Sequence, residues 1–295
     1  LRIADGCSNK CSYCAIPLIR GKMRSRKMEN IIEEAKKFAE NGVKELVIVA
    51  QDVTAYGIDL YKKYALPDLL KELCKIDGIK WIRLLYCYPE RMTDELIETI
   101  KTEDKVLNYI DIPIQHCNKE ILRNMYRGGD EQSLRELFAK LRREIPGVVL
   151  RTTLITGFPG ETEEQFSELA EFVNDIKFER LGCFAYSAEE DTPAAEMPDQ
   201  VDEGERQRRA DIITSEQEIR MGEYYAGMVG NTYEVVCEGF DRYSDMYFGR
   251  SMHFAPEIDG MIYFTSAKEK RPVIGDFINV KITDVLENNL LGEQV

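Results

Sequence analysis

Three thiols fall within eight residues in Cys7-Ser8-Asn9-Lys10-Cys11-Ser12-Tyr13-Cys14, a C-x3-C-x2-C spacing. No other stretch restricts the chain so strongly. Cubane iron–sulfur clusters are held by cysteine thiolates, usually four of them. Three cysteines from one tight loop hold three irons and leave the fourth without a protein ligand, open to a coordinating substrate. A zinc knuckle or a chance cluster is the plainer alternative. Zinc sites usually come as paired C-x2-4-C hooks with a distant second pair of Cys or His. No second hook is present, and neither His116 nor His253 sits in a ligand-like repeat, so the open-cluster reading is preferred.

The rest of the sequence alternates around this loop. Residues 1–4 read as a short buried strand running into the cysteines. Ser25 is placed to cap a helix in which Met28, Ile31, Ile32, Ala35, Phe38 and Ala39 share one face, and Asn41-Gly42 ends it. Residues 46–50, rich in Val and Ile, have the fully apolar character of a parallel strand covered on both sides. The pattern then repeats. Strands are expected over 81–86, 108–114, 148–155 and 180–186. Helices are expected from 67 to about 76, from 93, from 130, from 162 to 175 and from 202 to about 221. Six strands alternating with six helices imply right-handed crossovers and a parallel sheet. Six units are fewer than the eight of a closed barrel, so the expectation is an open, partial (β/α)6 barrel over residues 1–222. Its active site would lie at the carboxyl ends of the strands, where the cysteine loop sits. Beyond residue 225 the helical periodicity stops. Segments 233–237, 246–250, 260–265, 276–285 and 290–295 read as short strands punctuated by Gly239, Gly249, Gly260 and Gly275. They suggest a second domain over 225–295, a small antiparallel OB-like barrel.

Charge limits the partners. The chain carries a net charge of −14, which argues against a wholesale nucleic-acid binder and favours a cationic partner. No apolar run is long enough for a membrane span, and no signal peptide is visible. Eight cysteines in 295 residues do not form a disulfide scaffold, and a cluster loop needs a reducing compartment, so a cytoplasmic protein is expected. The sequence opens at Leu1, without an initiator Met and directly on a strand, which suggests a piece of a longer protein.

Other candidates lie at the strand ends. Gln51-Asp52 closes the second strand; a ligand contact competes there with a helix cap and a turn. Tyr86 and Tyr88-Pro89 read as core or rim packing, and His116 as a structural histidine. Arg151 lies within a buried strand, where a charge is costly unless paired; it could grip a ligand carboxylate or form an ion pair with a nearby acid. Gly157 and Gly160 allow close backbone approach to a ligand, or form a plain turn. Arg20, Lys22, Arg24, Arg26 and Lys27 stand without an intervening acid. They read as a solvated loop or as a rim that binds an acidic substrate group. Cys74, Cys87, Cys117, Cys183 and Cys237 share no spacing and are read as small buried hydrophobes.

The cysteine loop, with aromatic Tyr13 before the third cysteine, resembles that of the radical S-adenosylmethionine (SAM) enzymes. The resemblance implies a 4Fe–4S cluster on Cys7, Cys11 and Cys14, SAM on the open iron, and its reductive cleavage to methionine and a 5′-deoxyadenosyl radical. Tyr13 would lie beside the adenine, with Gln51, Arg151 and Gly157 as further SAM contacts. The final strands, in that position, resemble a TRAM domain. A narrower likeness, to the methylthiotransferases, rests on Ile3-Ala4-Asp5-Gly6-Cys7, Ala15-Ile16-Pro17, Arg20-Gly21, Ser25-Arg26, Met125-Tyr126-Arg127-Gly128-Gly129, Gly157-Phe158-Pro159-Gly160-Glu161, Tyr186-Ser187 and Thr192-Pro193-Ala194-Ala195. It covers nearly the whole chain. One branch of that family modifies an adenosine of tRNA; the other modifies the β-carbon of an aspartate in ribosomal protein S12.

From residue 225 onward there are six Lys/Arg and eleven Asp/Glu, 6 − 11 = −5. An acidic barrel repels tRNA and attracts a basic ribosomal protein. Gln51-Asp52-Val53-Thr54-Ala55-Tyr56-Gly57, Ile112-Pro113-Ile114-Gln115-His116-Cys117 and Ser187-Ala188-Glu189-Glu190-Asp191 also look closer to the second branch. The implied partners are S12, free or in the small subunit, and an electron donor such as flavodoxin, with tRNA disfavoured as the rival substrate and no membrane. Arg20, Arg24 and Arg26 are the candidate grip on the substrate carboxylate. The family also carries an amino-terminal domain with three more cysteines and a second 4Fe–4S cluster for sulfur delivery. Without it, this chain is expected to cleave SAM but not to complete methylthiolation.

Overall fold

The polypeptide alternates strand and helix from its first residues, and the computed structural model, which describes residues 1–266 and 271–295, shows where each element lies. In chain order they are β1 (Ala4–Asp5), α1 (Ile16–Arg20), β2 (Arg24–Ser25), α2 (Met28–Glu40), β3 (Glu45–Ile48), α3 (Leu66–Cys74), β4 (Trp81–Leu84), α4 (Asp94–Thr102), β5 (Val106–Asp111), α5 (Lys119–Asn124), α6 (Glu131–Glu144), β6 (Val149–Thr156), α7 (Glu163–Ile176), β7 (Arg180–Ala185) and α8 (Glu203–Met228). Then follow β8 (Thr232–Asp241), β9 (Met246–Arg250), β10 (Ile262–Thr265), β11 (Phe277–Leu286) and β12 (Asn289–Gln294). Two compact units result: Leu1–Asn41 with Glu45–Ser215, and Gly42–Lys44 with Glu216–Val295.

The first unit is built on a parallel sheet ordered β3-β4-β5-β6-β7. Every crossover between neighbours contains a helix, as parallel pairing requires. The expected first strand is present but short. Residues 1–3 run parallel to β3, with the Ile3 N–H donating to Val49 O at 3.0 Å and the Val49 N–H to Leu1 O at 3.1 Å. Ala4–Asp5 then swings away to pair antiparallel with Arg24–Ser25, and this turn aims the following cysteine loop. Five parallel strands, extended beside β3 by the single bridge of Arg2 to Val49, thus line the open half-barrel.

Helix ends follow local chemistry. Asp130 and Ser133 form one reciprocal capping box, Thr162 and Gln165 another. The helices bury apolar faces against the sheet. On α6, Phe138 meets Phe178 edge-on at 4.9 Å and Phe172 at 6.5 Å. Ser25 is not the cap of α2. Lys27 holds that position without a side-chain cap, because Ser25 is committed to β2, where its hydroxyl donates to Asp59 and accepts from the Gly57 N–H. Two short helices, α1 and α5, were not expected: five and six residues are too few to show periodicity.

The second unit is a closed five-stranded barrel ordered β10-β12-β11-β8-β9. The expectation of a purely antiparallel barrel is corrected in one place: β10 and β12 pair in parallel and close the ring. α8 also continues past the expected end near residue 221 to Met228. Two glycines, Gly222 and Gly227, weaken helix propensity there, but Tyr225 and Met228 are buried with Val235, Phe254, Phe264 and Ile282, and that packing overrides propensity. Lys268, Glu269 and Lys270, which enter the charge count, lie outside the described residues. Among the described residues no helix is long and apolar enough to cross a membrane.

Beyond the carboxyl ends of β5 and β6, Glu161 forms a buried polar knot. Its carboxylate accepts from the Gly157 N–H at 3.0 Å to both oxygens and from Arg209 at 2.7 Å, and His116 Nε2 lies 3.5 Å away. His116 Nδ1 accepts two backbone N–H groups, of Cys117 and Asn118. The structural reading of this histidine fits that arrangement. Burial alone would raise the Glu161 pKa, but the His116, Gly157 and Arg209 contacts outweigh it and hold the carboxyl below the ordinary value of 4.5. The folded chain therefore keeps the carboxylate ionised at pH values where the unfolded chain protonates it. That stabilisation is complete above about pH 4.5 and is lost as pH falls through the lower folded value. Glu161→Ala is expected to cost about 3 kcal/mol at neutral pH and to flatten the acid limb of stability, measured by urea unfolding between neutral pH and pH 3.

Candidate functional site

The loop after β1 is fixed by backbone geometry before any ligand is considered. Gly6 has φ +74°, and a Cβ there would lie 2.5 Å from Lys22 O and 2.7 Å from Gly21 O. Only glycine allows the loop to lie this close to the returning segment. The Cys7 N–H then donates to Gly21 O at 3.1 Å, and the Cys14 N–H to Cys11 O at 3.1 Å. Asn9 ties the loop to the sheet, donating to Asp52 at 3.0 Å and accepting from Arg91 at 2.8 Å. Arg91 is itself ion-paired with Asp52, which also accepts from Thr54 at 2.5 Å and from the Ala55 N–H at 3.2 Å. On the other side Ser12 is clamped. Its N–H donates to Met125 O, its hydroxyl to Asn124 O at 2.7 Å, and its carbonyl accepts from the Ala194 N–H.

Held this way, the three thiols face one cavity of about 430 Å³, a volume typical of small-molecule sites. The cavity opens at the carboxyl ends of β3, β4 and β5, the end at which parallel α/β sheets bind ligands. Cys7, Cys11 and Cys14 share its wall with Tyr13, Gln51, Tyr86, Tyr88, Gln115 and Arg127; Ile16, Pro17, Val49 and Ala50 add an apolar surface. Tyr13 packs on Met125, Phe158, Tyr186 and Ala194, and its hydroxyl accepts from Arg127 at 3.3 Å. Arg127 also donates to Pro113 O at 2.7 Å and lies 4.3 Å from the Tyr88 ring centre. The Gln51 and Gln115 carboxamide oxygens are buried without a hydrogen-bond partner, an unusual state for a polar wall group and a mark of a site that takes a ligand.

The donor set fits an iron–sulfur cluster: all eight cysteines are free, and Cys7, Cys11 and Cys14 line one cavity, thiolates being the ligands such clusters take. Burial pushes the Cys7 and Cys14 thiols up, so iron would displace their protons on binding.

Of the ten residues singled out beforehand, five meet here: Cys7, Cys11, Cys14, Tyr13 and Gln51. The other five are used elsewhere. Arg151 donates to Asp111 at 2.7 Å, the ion-pair alternative rather than a grip on a ligand in the cavity. Gly157 packs against Arg206, where a Cβ would come within 2.3 Å, and its N–H serves Glu161. Arg20 and Arg24 both lie near Asp5, at 3.3 and 3.5 Å. Arg26 is occupied by Glu34 at 2.6 Å and Arg2 O at 2.7 Å. Cys87, Cys117 and Cys237 are buried as expected, whereas Cys74 and Cys183 are only partly so. Sequence reading passed over Asn9, Arg91, Ser12 and Arg127 as site builders; Asp52 takes the cap alternative, its side chain accepting from the Ala55 N–H. It also assigned Tyr86 and Tyr88 to packing.

With the geometry in place, comparison with known proteins is informative. The family model described as the radical SAM superfamily matches residues 1–173, and the TRAM domain model matches residues 229–295. A curated relative from Clostridium botulinum (strain Hall), ribosomal protein uS12 methylthiotransferase RimO, is 51% identical over 292 residues, covering 99% of this chain and 65% of the relative. A protein of the same name from Caldanaerobacter subterraneus subsp. tengcongensis is 50% identical over 293 residues, covering 99% of this chain and 66% of that one. The chain thus spans just under two thirds of these relatives. Among solved structures, the radical SAM methyltransferase TsrM from Kitasatospora setae aligns with a TM-score of 0.55 at 17% identity, over 66% of this chain and 38% of that one. Methylornithine synthase (PylB) aligns at 0.51 and 14%, over 74% and 61%. At such identities the likeness concerns the fold.

Gly6→Ala should be damaging out of proportion to its size, because the added methyl meets backbone oxygens on a left-handed residue. A loss of about 2 kcal/mol or more in stability and failure to take up iron on anaerobic reconstitution are expected, read by urea unfolding and by iron content per chain.

Proposed function

This chain belongs to the radical SAM superfamily, and on that premise we propose that it is the cluster-bearing core and TRAM portion of a methylthiotransferase acting on the β-carbon of an aspartate in ribosomal protein uS12. The observation that carries the reading is the convergence of Cys7, Cys11 and Cys14 with Tyr13 and Gln51 on one cavity at the mouth of the half-barrel. Relatives of that name, half identical over almost the whole chain, support the substrate.

Cys7, Cys11 and Cys14 would hold three irons of a 4Fe–4S cluster. When bound, the cluster with SAM on its open iron supplies the electron that splits SAM into methionine and a 5′-deoxyadenosyl radical able to take hydrogen from an unactivated carbon. The protein's own residues do the positioning. Tyr13, fixed by Arg127 and its apolar bed, offers a ring for the adenine. Gln51 and Gln115 carry carboxamides with unused hydrogen-bonding capacity at the cavity wall. Ile16, Pro17, Val49 and Ala50 give the cavity an apolar face.

Charge supports a protein substrate over tRNA, through the −14 net charge and the acidic balance from residue 225 onward. The basic stretch from Arg20 to Lys27 would repel a basic substrate as a whole. Arg20 and Arg24 stay exposed and can meet a single carboxylate or an acidic electron donor of the flavodoxin type; Arg26, paired with Glu34, is the weakest of the three candidates. No second three-cysteine set is present in this sequence. The residues present here are those that SAM cleavage would need, and a reducing cytoplasm would keep their thiols ready for iron.

After anaerobic reconstitution, dithionite should drive 5′-deoxyadenosine formation from SAM, measured chromatographically, and Cys11→Ala should abolish it. Stoichiometric zinc with no SAM cleavage would instead favour a non-catalytic binding protein. Immobilised chain should capture purified uS12 in preference to bulk tRNA, with capture weakening as salt rises; preference for tRNA would move the substrate to the other branch of the family.

A further inference from the structure

Tyr86 departs from the local rules. It follows β4 with φ +62°, a left-handed conformation that a bulky residue rarely adopts. Both of its backbone groups are held there. Its N–H donates to Asp111 Oδ2 at 3.0 Å, and its carbonyl accepts from the Val53 N–H at 3.1 Å. Asp111 is buried and braced by Arg151, which donates to its other oxygen at 2.7 Å. The residue so presented is 45% exposed and belongs to the cavity wall. Backbone strain held in place by surrounding bonds is characteristic of functional positions. Glycine would occupy this conformation freely, so the fold itself has no need of an aromatic here.

We propose that Tyr86 contacts the polypeptide substrate at the rim of the cavity, and that Asp111, braced by Arg151, is the positioning residue that turns the ring toward it. This rests on the reading of the chain as a uS12-modifying enzyme. The exposed part of Tyr86 lies open at the cavity wall, where a polypeptide laid across the mouth would cover it. Tyrosine is suited to that task, with a large rigid contact area and a polar tip. Arg151 thereby acquires a role that its place in a buried strand does not announce: its guanidinium neutralises the carboxylate that supports Tyr86.

The test uses the reconstituted chain with SAM and purified uS12 as the probe, with binding followed by calorimetry and stability by thermal unfolding. Tyr86→Gly should bind uS12 at least about tenfold more weakly, near 1.4 kcal/mol, while its Tm stays level or rises because the strain is removed. Tyr86→Phe should bind within about twofold of the parent. Asp111→Asn should weaken binding in the parent but not further in the Tyr86→Gly background, the signature of one residue acting through the other. Parental affinity in Tyr86→Gly, a fall in its Tm, or additive losses in the double variant would each overturn the proposal. If the unsubstituted chain neither cleaves SAM nor binds uS12, the reading of function fails instead.

Discussion

One carboxylate joins the two halves of the site. Asp52, at the end of β3, binds Asn9 of the cysteine loop and Arg91 from beyond β4, and closes its own turn through Thr54 and Ala55. Its side chain is almost fully buried and Arg91 largely so. Such a pair is worth keeping only when every lone pair is used, and here Asn9 bridges both members. A flexible three-cysteine loop thereby becomes a fixed wall. Without that restraint, ordering the loop on iron would cost backbone entropy for every residue from Gly6 to Cys14. The Ser12 contacts to Asn124, Met125 and Ala194 do the same from the opposite side.

How much of this could be read beforehand depended on the range of the interaction. The cysteine spacing and Tyr13 are local and were legible at once. So was the strand and helix alternation, because each unit has its own periodicity. The parallel β10–β12 closure was not, since strand direction in a barrel leaves no mark on short segments. The Asn9, Asp52 and Arg91 cluster joins residues 43 and 82 positions apart, and a single sequence offers no sign of such pairings. Arg151 shows the limit well. The sequence revealed that a charge in a strand needs a partner, but not that the partner was Asp111 rather than a ligand. Ser25 had the chemistry of a helix cap and was drawn instead into β2 and Asp59.

The Gly157-Phe158-Pro159-Gly160-Glu161 segment has a structural use that complements the site. Glu161 anchors the segment through Gly157 and Arg209, while Phe158 joins the cluster against which Tyr13 packs. The same economy appears in Arg127, which lines the cavity and simultaneously fixes Tyr13, Tyr88 and the strand end at Pro113. Positions that look like binding motifs in sequence here hold the binding residues in place.

The account stands on a cluster with one iron left free of protein. Mössbauer spectroscopy of the reconstituted chain, with and without SAM, addresses that directly. The account predicts one iron distinct from the other three, with its signal alone shifting when SAM is added. Irons that remain equivalent and indifferent to SAM, or a fourth protein ligand on the cluster, would contradict it.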